Sequence, residues 1–128
     1  MPGTDNARAD NTFDIPGHFI KAQEMGDGYT VCFEQHSEAG DLAPMMVGLP
    51  DDACQCDHWG YVFEGSITFT YVDGSTETFT AGMAYHVSPG HRPTVEAGTE
   101  LVEFSQTDKL NETVGVVMQN MEHAGQSA

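Results

Sequence analysis

The chain has 128 residues, in which twenty acidic side chains face four basic ones, for a formal net charge of −16. That length fits one domain with a core of its own, and no apolar run approaches the ~20 residues of a membrane-spanning helix. A surface this acidic repels nucleic acid and anionic lipid, so we expect neither as a partner. We interpret the charge mainly as a solubility feature, with attraction of a cationic ligand as the alternative.

The N-terminal segment is polar and acidic, and it has no apolar stretch typical of a secretion signal. We therefore predict a cytoplasmic protein with a loose arm over residues 1–15 and a single domain over residues 16–128.

Strands are predicted from residue 29 onward, where apolar and polar residues alternate. An aspartate followed by a glycine, Asp73 and Gly74, favours a tight hairpin between two of these strands. A turn is expected at residues 49–52. The predicted strands cover residues 29–35, 45–48, 61–63, 67–71, 76–80, 84–87, 94–96 and 101–105.

The C-terminal segment has a different periodicity, which predicts a short α-helix over about residues 108–122. Asp108 is a suitable N-terminal cap, and Gly115 weakens the helix by ~1 kcal/mol. Many short strands followed by one helix are typical of an all-β sandwich or barrel. The apolar positions of the helix recur at helical intervals: Leu110, Val114, Val117 and Met121.

Three cysteines are present, an odd number that argues against a disulfide framework. Cys54 and Cys56 are two residues apart, too close for an unstrained disulfide. Cysteines spaced in this way are more often metal ligands or redox centres. Cys32 lies in an apolar strand, where we expect it to be part of the buried packing.

The stretch over residues 54–105 resembles the cupin superfamily. Residues 61–65 look like the apolar run that ends the first cupin motif in a glycine, and residues 73–74 look like the hairpin that follows it. Residues 81–82 and 87–90 look like the start of the second motif. The resemblance implies a cupin jelly-roll β-barrel that holds a metal ion and a small-molecule ligand in its mouth, and a homodimer.

The metal positions depart from the usual cupin pattern of three histidines and one glutamate. His58 falls where the glutamate of the first motif stands, and Pro93 falls where the histidine of the second motif stands, with His91 shortly before it. Cys54, Cys56 and His58 look like a variant subgroup in which Cys-x-Cys-x-His replaces the usual ligands. The catalytic roles known in the family therefore cannot be carried over to this chain.

The candidate metal ligands are His58, His91, Cys54 and Cys56. On a strand the Cys-x-Cys-x-His residues point to one face, with about 6.6 Å between successive ones. Thiolates and imidazoles suit a divalent metal, zinc first, and leave iron and copper as competitors. A straight strand separates Cys54 from His58 by about 13 Å, so one ion requires a bulge or a turn, unless just two residues bind. The alternative is that both cysteines fill the core beside a hydrogen-bonded histidine.

Aromatic and polar residues near this motif are candidates for a substrate pocket, and each is also a candidate for the core. Glu103 either points to solvent or lines the barrel, where burial would raise its pKa and suit it to a catalytic role in acid–base chemistry. His18, His36 and His123 are expected at the surface. The candidate pocket residues are His86, Tyr61, Tyr85 and Trp59.

These features predict a metal-binding protein that binds or converts a small molecule in the barrel mouth. Three protein ligands leave one position of a zinc ion open for catalysis. The resemblance to cupins implies isomerase, lyase, hydrolase or oxygenase chemistry, among which the sequence does not choose, and redox chemistry is less expected if the metal is zinc. Four ligands close the site, which is then structural, and the protein is a binding or sensing module. A third hypothesis is a metal-free barrel that binds a sugar or another metabolite.

Overall fold

The computed structural model describes residues 3–5, 9 and 11–126, and the side chains of all of these except residues 11, 13–15 and 123–126. Two 3₁₀ helices, Ala43–Met46 and Pro50–Asp52, lie in the longest connection between described strands. The strands are β1 (Asn11–Ile15), β2 (His18–Gly26), β3 (Tyr29–His36), β4 (Gly40–Asp41), β5 (His58–Glu64), β6 (Ser66–Tyr71), β7 (Thr76–Thr80), β8 (Ala84–Val87), β9 (His91–Val95) and β10 (Thr99–Gln106), and the α-helix is α1 (Thr107–Gln126).

The strands form two sheets that share one apolar core. One sheet has six strands in the order β1-β2-β3-β10-β5-β8, and the other has four in the order β4-β9-β6-β7. The described neighbours in both sheets pair in the antiparallel sense. The all-β jelly-roll barrel with a C-terminal helix, predicted from the sequence, is confirmed. The main core consists of inward-pointing residues from both sheets: Val62, Ile67, Phe69, Tyr85, Val87, Val95 and Leu101.

Strand β5 illustrates how period-two alternation divides the chain between interior and surface. His58 and Val62 are buried, whereas Trp59 is 41% exposed. Gly60 takes the inward position between the two buried residues because the ring of Tyr85 leaves no room for a side chain there. A Cβ added to Gly60 would lie 2.4 Å from Tyr85 Cζ.

Two tight hairpins are built on an aspartate followed by a glycine. The predicted hairpin at Asp73 and Gly74 is confirmed and joins β6 to β7, with Gly74 at φ +89°. The Ser75 amide donates a hydrogen bond to the Asp73 carboxylate at 2.9 Å. Asp27 and Gly28 join β2 to β3, and both have positive φ, which these residue types tolerate better than most.

The N-terminal half of the chain differs from the sequence prediction in several places. Of the loose arm expected over residues 1–15, residues 11–15 form β1, which pairs along β2. The remaining arm is described at residues 3–5 and 9 alone. Strand β2 has no predicted counterpart. The short strand expected over residues 45–48 is wrong, because Pro44 fixes a helical φ in the first turn of a 3₁₀ helix there.

The predicted C-terminal helix is confirmed and extends as α1 to Gln126. Its Asn120 side chain donates to the carbonyl oxygens of Met45 (2.7 Å) and Val47 (2.8 Å), which ties the helix to the 3₁₀ segment. No helix formed by the described residues has the length and apolar character that a membrane crossing needs. One face of α1, with Leu110, Val116 and Val117, packs on a second apolar cluster of Met46, Leu49, Cys54 and Cys56.

Candidate metal centre and interior cavity

Cys54 and His91 face each other across an antiparallel bridge between the Cys-x-Cys segment and the start of β9. The Cys54 amide donates to the His91 carbonyl at 2.9 Å, and the Gly90 amide donates to the Cys54 carbonyl at 2.7 Å. Residues directly opposite each other in an antiparallel pair project to the same face. These backbone hydrogen bonds therefore hold the Cys54 and His91 side chains next to each other.

The chain crosses from one sheet to the other between Cys54 and His58. Cys54 is bridged to β9 of the four-stranded sheet, residues 55–57 lie outside any strand, and His58 begins β5 of the six-stranded sheet. As a result, Cys54 Sγ lies 3.5 Å from His58 Nε2. The crossing supplies the bend that the sequence spacing required for a common ion.

Cys54, His58 and His91 form a compact group, which we call the three-donor group. One ligand atom from each residue lies within 4.8 Å of those of the other two, and all three residues are buried. The two imidazole rings meet edge to face with their centroids 5.1 Å apart. The structure thus brings together donors from the two separated segments that the sequence singled out.

Hydrogen bonds at the far ring nitrogen orient both histidines. His91 Nδ1 donates to the Ser88 carbonyl oxygen at 2.6 Å, so that Nε2 of the neutral ring is the nitrogen that can bind an ion. His58 Nδ1 lies 2.6 Å from Ser105 Oγ, while its Nε2 faces Cys54. Metal-binding histidines are commonly held in this way, with one nitrogen tied to the protein and the other presented to the ion.

The Cys54 thiol lies in surroundings that favour the thiolate. Burial by itself raises the pKa of Cys54, but hydrogen bonds with His58 and His91 outweigh burial and lower the pKa to about 5. The Thr113 hydroxyl of α1 lies 3.4 Å from the sulfur. Because the thiolate is the form that binds metal ions, this environment suits a ligand.

The donor set fits a borderline or soft metal ion. One thiolate and two imidazoles are ligands that Zn²⁺ prefers, and three protein ligands leave a fourth position for water or substrate. Fe²⁺ and Cu⁺ also accept such ligands. Cys56, the other predicted ligand, is fully buried but lies outside the three-donor group, and its thiol donates to the Asp57 carbonyl oxygen at 3.3 Å.

Glu103 points into the barrel beside the three-donor group. Its carboxylate accepts a hydrogen bond from the Tyr85 hydroxyl and lies 3.8 Å from His58 Nδ1. Burial raises the pKa of Glu103 to about 7, although the neighbouring His58 acts in the opposite direction. Burial lowers the pKa of His58, but the Glu103 carboxylate and the nearby thiols raise it well above its ordinary value. A carboxyl group with this pKa is suited to proton transfer near neutral pH.

Three further titratable residues lie in the interior and were missed from the sequence as site residues. Glu34 hydrogen-bonds to Glu103 and accepts a hydrogen bond from His36 Nε2 at 2.9 Å. His36 Nδ1 lies 2.8 Å from His18 Nδ1. We call Glu34, His36 and His18 the acceptor line. The surface positions expected for His18 and His36 are wrong, since both are buried, and the His123 side chain lies outside the described residues.

The acceptor line is assembled by strand register. His18 of β2 is paired with His36 of β3, and Cys32 of β3 is paired with Glu103 of β10. Alternation along β3 then turns residues 32, 34 and 36 to one face, toward the interior. The sequence contained the period-two pattern of β3 and predicted β10, but it did not predict β2 or the way the three strands pair.

A cavity of about 440 Å³ lies between the barrel and α1. All members of the three-donor group line it, together with Glu34 and Glu103. A mostly apolar cavity of this size with a few convergent polar groups is typical of a small-molecule site. Its apolar walls include Ile20, Leu42, Ile67, Phe69, Val114 and Val117.

Of the four predicted pocket residues, Tyr85 is buried in the core and the other three lie outside. Trp59 and Tyr61 are 41% and 40% exposed on the outer face of β5. His86 is paired with Trp59 and stacks on its ring, also on the outer face. These three residues do not line the cavity. Trp59 and Tyr61 alternate with the inward-facing His58 along β5, and His86 lies between the buried Tyr85 and Val87 on β8.

Solved structures of other proteins have the same architecture. An RmlC-like cupin from Shewanella frigidimarina matches over 81% of this chain and 88% of its own, with 16% identity and a TM-score of 0.56. KdgF from Halomonas sp. matches over 80% of this chain and 90% of its own, with 19% identity and a TM-score of 0.55. The chain has the cupin fold.

The cupin barrel also matches part of a larger protein. It aligns with a variant of the oxalate decarboxylase of Bacillus subtilis over 78% of this chain but 28% of that one, with 11% identity and a TM-score of 0.55. No protein-family model matches the sequence, and none of the curated proteins is similar to it by sequence. The resemblance found in residues 54–105 is thus confirmed for the fold.

Proposed function

We propose that the protein is a metal-dependent enzyme that converts a small molecule in the cavity of its cupin barrel. The observation that carries this proposal is the three-donor group, whose ligand atoms lie within 4.8 Å of one another on the cavity wall. Cys54, His58 and His91 would hold the ion, zinc first among the candidates. A zinc ion there would supply Lewis acidity and one exchangeable coordination position.

Glu103 is the residue to which we assign proton transfer. It lines the cavity, receives a hydrogen bond from Tyr85 and is hydrogen-bonded to Glu34. Two adjacent carboxyl groups resist being ionised together, so one of them tends to keep a proton while the other is a base. A substrate held at the three-donor group would lie beside Glu103, and the apolar walls with α1 would limit the access of water.

A second candidate is the closed structural site, in which Cys56 is a fourth ligand. It is favoured by the complete burial of Cys56 and by its proximity to His58, whose pKa the Cys56 thiol helps to raise. In that case the barrel would be a binding or sensing module. The hydrogen bond of Cys56 to the backbone and its position outside the three-donor group support the open site instead.

Cobalt substitution separates the two candidates. We expect one Co²⁺ per chain, a sulfur-to-cobalt charge-transfer band, and a change in the visible bands when imidazole, a neutral probe, is added. Visible bands that imidazole leaves unchanged would support the closed site. A Cys56→Ser variant is the matched test, since the open site predicts full metal occupancy and the closed site predicts its loss. Protein that binds neither zinc, iron nor copper would contradict both candidates and favour the metal-free barrel.

A homodimer and a cytoplasmic location stay predictions. The outer face of the six-stranded sheet exposes a group of large aromatic rings, and a patch of this kind is more typical of an interface than of free surface. Analytical ultracentrifugation checks the dimer, and Trp59→Lys is expected to shift the protein toward monomer. Wild-type protein that sediments as a monomer at all concentrations contradicts the dimer. The rings are Trp59, Tyr61, Phe63 and Phe104.

A further inference from the structure

The cavity wall carries three acidic side chains. Glu34 and Glu103 line the cavity inside, and the exposed Asp41 lines it as well. Among the described residues that line the cavity there is no lysine and no arginine. A ligand therefore meets carboxylates and neither lysine nor arginine, and the imidazole of His58 lies against the Cys54 sulfur at 3.5 Å.

The described lysine and arginine side chains make their contacts outside the cavity. Arg92 donates to two backbone carbonyls at 2.6 and 2.9 Å, and Lys109 lies 3.7 Å from a glutamate of its own helix. Lys21 lies over the ring of Phe19, with 5.8 Å between its nitrogen and the ring centroid. The fourth basic residue, Arg8, lies outside the described residues. No described lysine or arginine is thus placed to neutralise an anion in the cavity.

A bound divalent ion would not reverse this balance. Cys54 would bind the ion as a thiolate, which offsets one of its two positive charges, and the carboxyl groups of Glu34 and Glu103 lie on the same wall. The net charge of 20 acids against four bases adds a long-range field of the same negative sign. An anionic ligand beside the ion therefore also lies next to two carboxyl groups, which disfavour its binding.

The acceptor line gives His18 a defined hydrogen-bonding role. Glu34 accepts from His36 Nε2 at 2.9 Å, so His36 Nδ1 is left to accept from His18 Nδ1 at 2.8 Å, and His18 Nε2 remains an acceptor. Burial and the neighbouring His36 lower the pKa of His18, which favours this neutral form. His18 Nε2 faces Gly40, where an added Cβ would lie 3.0 Å away, and both residues line the cavity.

We propose that the cavity selects small ligands with an apolar body and a cationic or neutral hydrogen-bond donor, such as a primary amine or an alcohol, and excludes carboxylates and phosphates. The inference deepens the proposed function, because it takes the cavity beside the three-donor group as the ligand site. Glu34, Glu103 and His18 accept hydrogen bonds from the donor group of the ligand, while the apolar walls hold its body.

Three probes of one chain length test the ligand class: hexylammonium, hexanol and hexanoate. Isothermal calorimetry measures their binding to metal-free and to zinc-loaded protein. We expect hexylammonium and hexanol to bind, and hexanoate to bind at least about tenfold more weakly than hexylammonium in both forms. Hexanoate that binds as tightly as hexylammonium overturns the proposal, and so does the failure of all three probes to bind either form.

Glu34→Gln tests whether the cavity carboxylate is responsible. The amide keeps an oxygen that can accept from His36 and removes the charge, so hexylammonium affinity should fall about tenfold while hexanol affinity changes little. Glu112→Gln is the matched control, because it makes the same change of net charge at an exposed position of α1. An equal loss in both variants would overturn the proposal. If Glu34→Gln does not fold, Asp41→Asn replaces it, with an expected loss of at least about twofold.

The outcomes distinguish this inference from the proposed function. Metal occupancy of the three-donor group is measured without any probe. If the site is occupied but the protein prefers hexanoate, the result supports the metal site and contradicts the proposed ligand class. Metal-free protein that cannot be loaded, yet prefers hexylammonium, keeps the ligand class and contradicts the metal-dependent enzyme.

Discussion

Two polar groups inside the barrel, the three-donor group and the acceptor line, are built on opposite principles. The members of the three-donor group aim their donor atoms at a common point and leave them available there. The members of the acceptor line satisfy one another in a chain of hydrogen bonds. The first arrangement is therefore suited to hold an ion, whereas the second contributes to folding and shapes the ligand site without one.

The largest expected effect is the loss of metal from the three-donor group. His91→Ala and Cys54→Ser each remove one of three ligands, so zinc content should fall from about one per chain to near zero. Elemental analysis of the purified, dialysed proteins measures it. Cys32→Ser is the control, because Cys32 is a buried thiol outside the group and its removal should leave the zinc content unchanged. Full zinc occupancy in His91→Ala would contradict the assignment of His91 as a metal ligand.

Substitution in the acceptor line should lower the stability of the protein and leave its zinc content unchanged. His36→Leu leaves the Glu34 carboxylate inside the barrel without its closest partner, which is expected to lower the free energy of unfolding by about 3 kcal/mol. Zinc content should not change. Urea unfolding of the metal-free protein measures the loss, and His86→Leu, which removes an exposed histidine, should cost under about 1 kcal/mol. Equal stability of His36→Leu and wild type would show that the line has no structural role.

Gly60 packs against the ring of Tyr85, whose hydroxyl donates to Glu103. Gly60→Ala places a Cβ 2.4 Å from Tyr85 Cζ, so we expect a loss of about 1–3 kcal/mol in the free energy of unfolding. Gly115→Ala in α1 is the control, since nothing lies within 4 Å of the added Cβ there. It should stabilise the protein by about 0.5–1 kcal/mol. The opposite order of these two variants would contradict the packing described for the interior.

The smallest expected effect is a dependence of stability on pH through His18. Its pKa is lowered in the folded state, chiefly by burial, with His36 adding to the shift while Glu38 and Glu34 oppose it. As pH falls through about 6.5, the unfolded chain takes up a proton that the folded protein accepts at lower pH, so stability falls. Denaturation at about pH 8 and about pH 5 should show a larger loss in wild type than in His18→Gln. Equal losses of stability in wild type and His18→Gln would contradict a lowered pKa of His18 in the folded protein.

The sequence predicted the residues of the three-donor group better than it predicted their geometry. The close spacing of Cys54, Cys56 and His58 and the nearby motif pointed to ligands, and His91 was identified as the donor from a second segment. The bend between Cys54 and His58 could not be predicted, because it depends on the bridge to β9. For the same reason the sequence could not separate Cys54 from Cys56 as ligands.

The acceptor line and the outer aromatic residues show two different limits of prediction from the sequence. His18 and Glu34 come from separate strands. They are brought close by the register between β2 and β3, and β2 was not predicted from the sequence. Trp59 and Tyr61 do not line the cavity, for a reason that the sequence did contain. Their alternation with His58 places them on the opposite face of β5.

The proposed metal centre has three protein donors around one ion, with a position left open toward the cavity. X-ray absorption spectroscopy at the zinc edge of the loaded protein measures this directly. We expect one sulfur at about 2.3 Å, two imidazole nitrogens at about 2.0–2.1 Å and one further light atom that changes when imidazole is added. A first shell with two sulfurs, or one without imidazole scattering, would contradict the account.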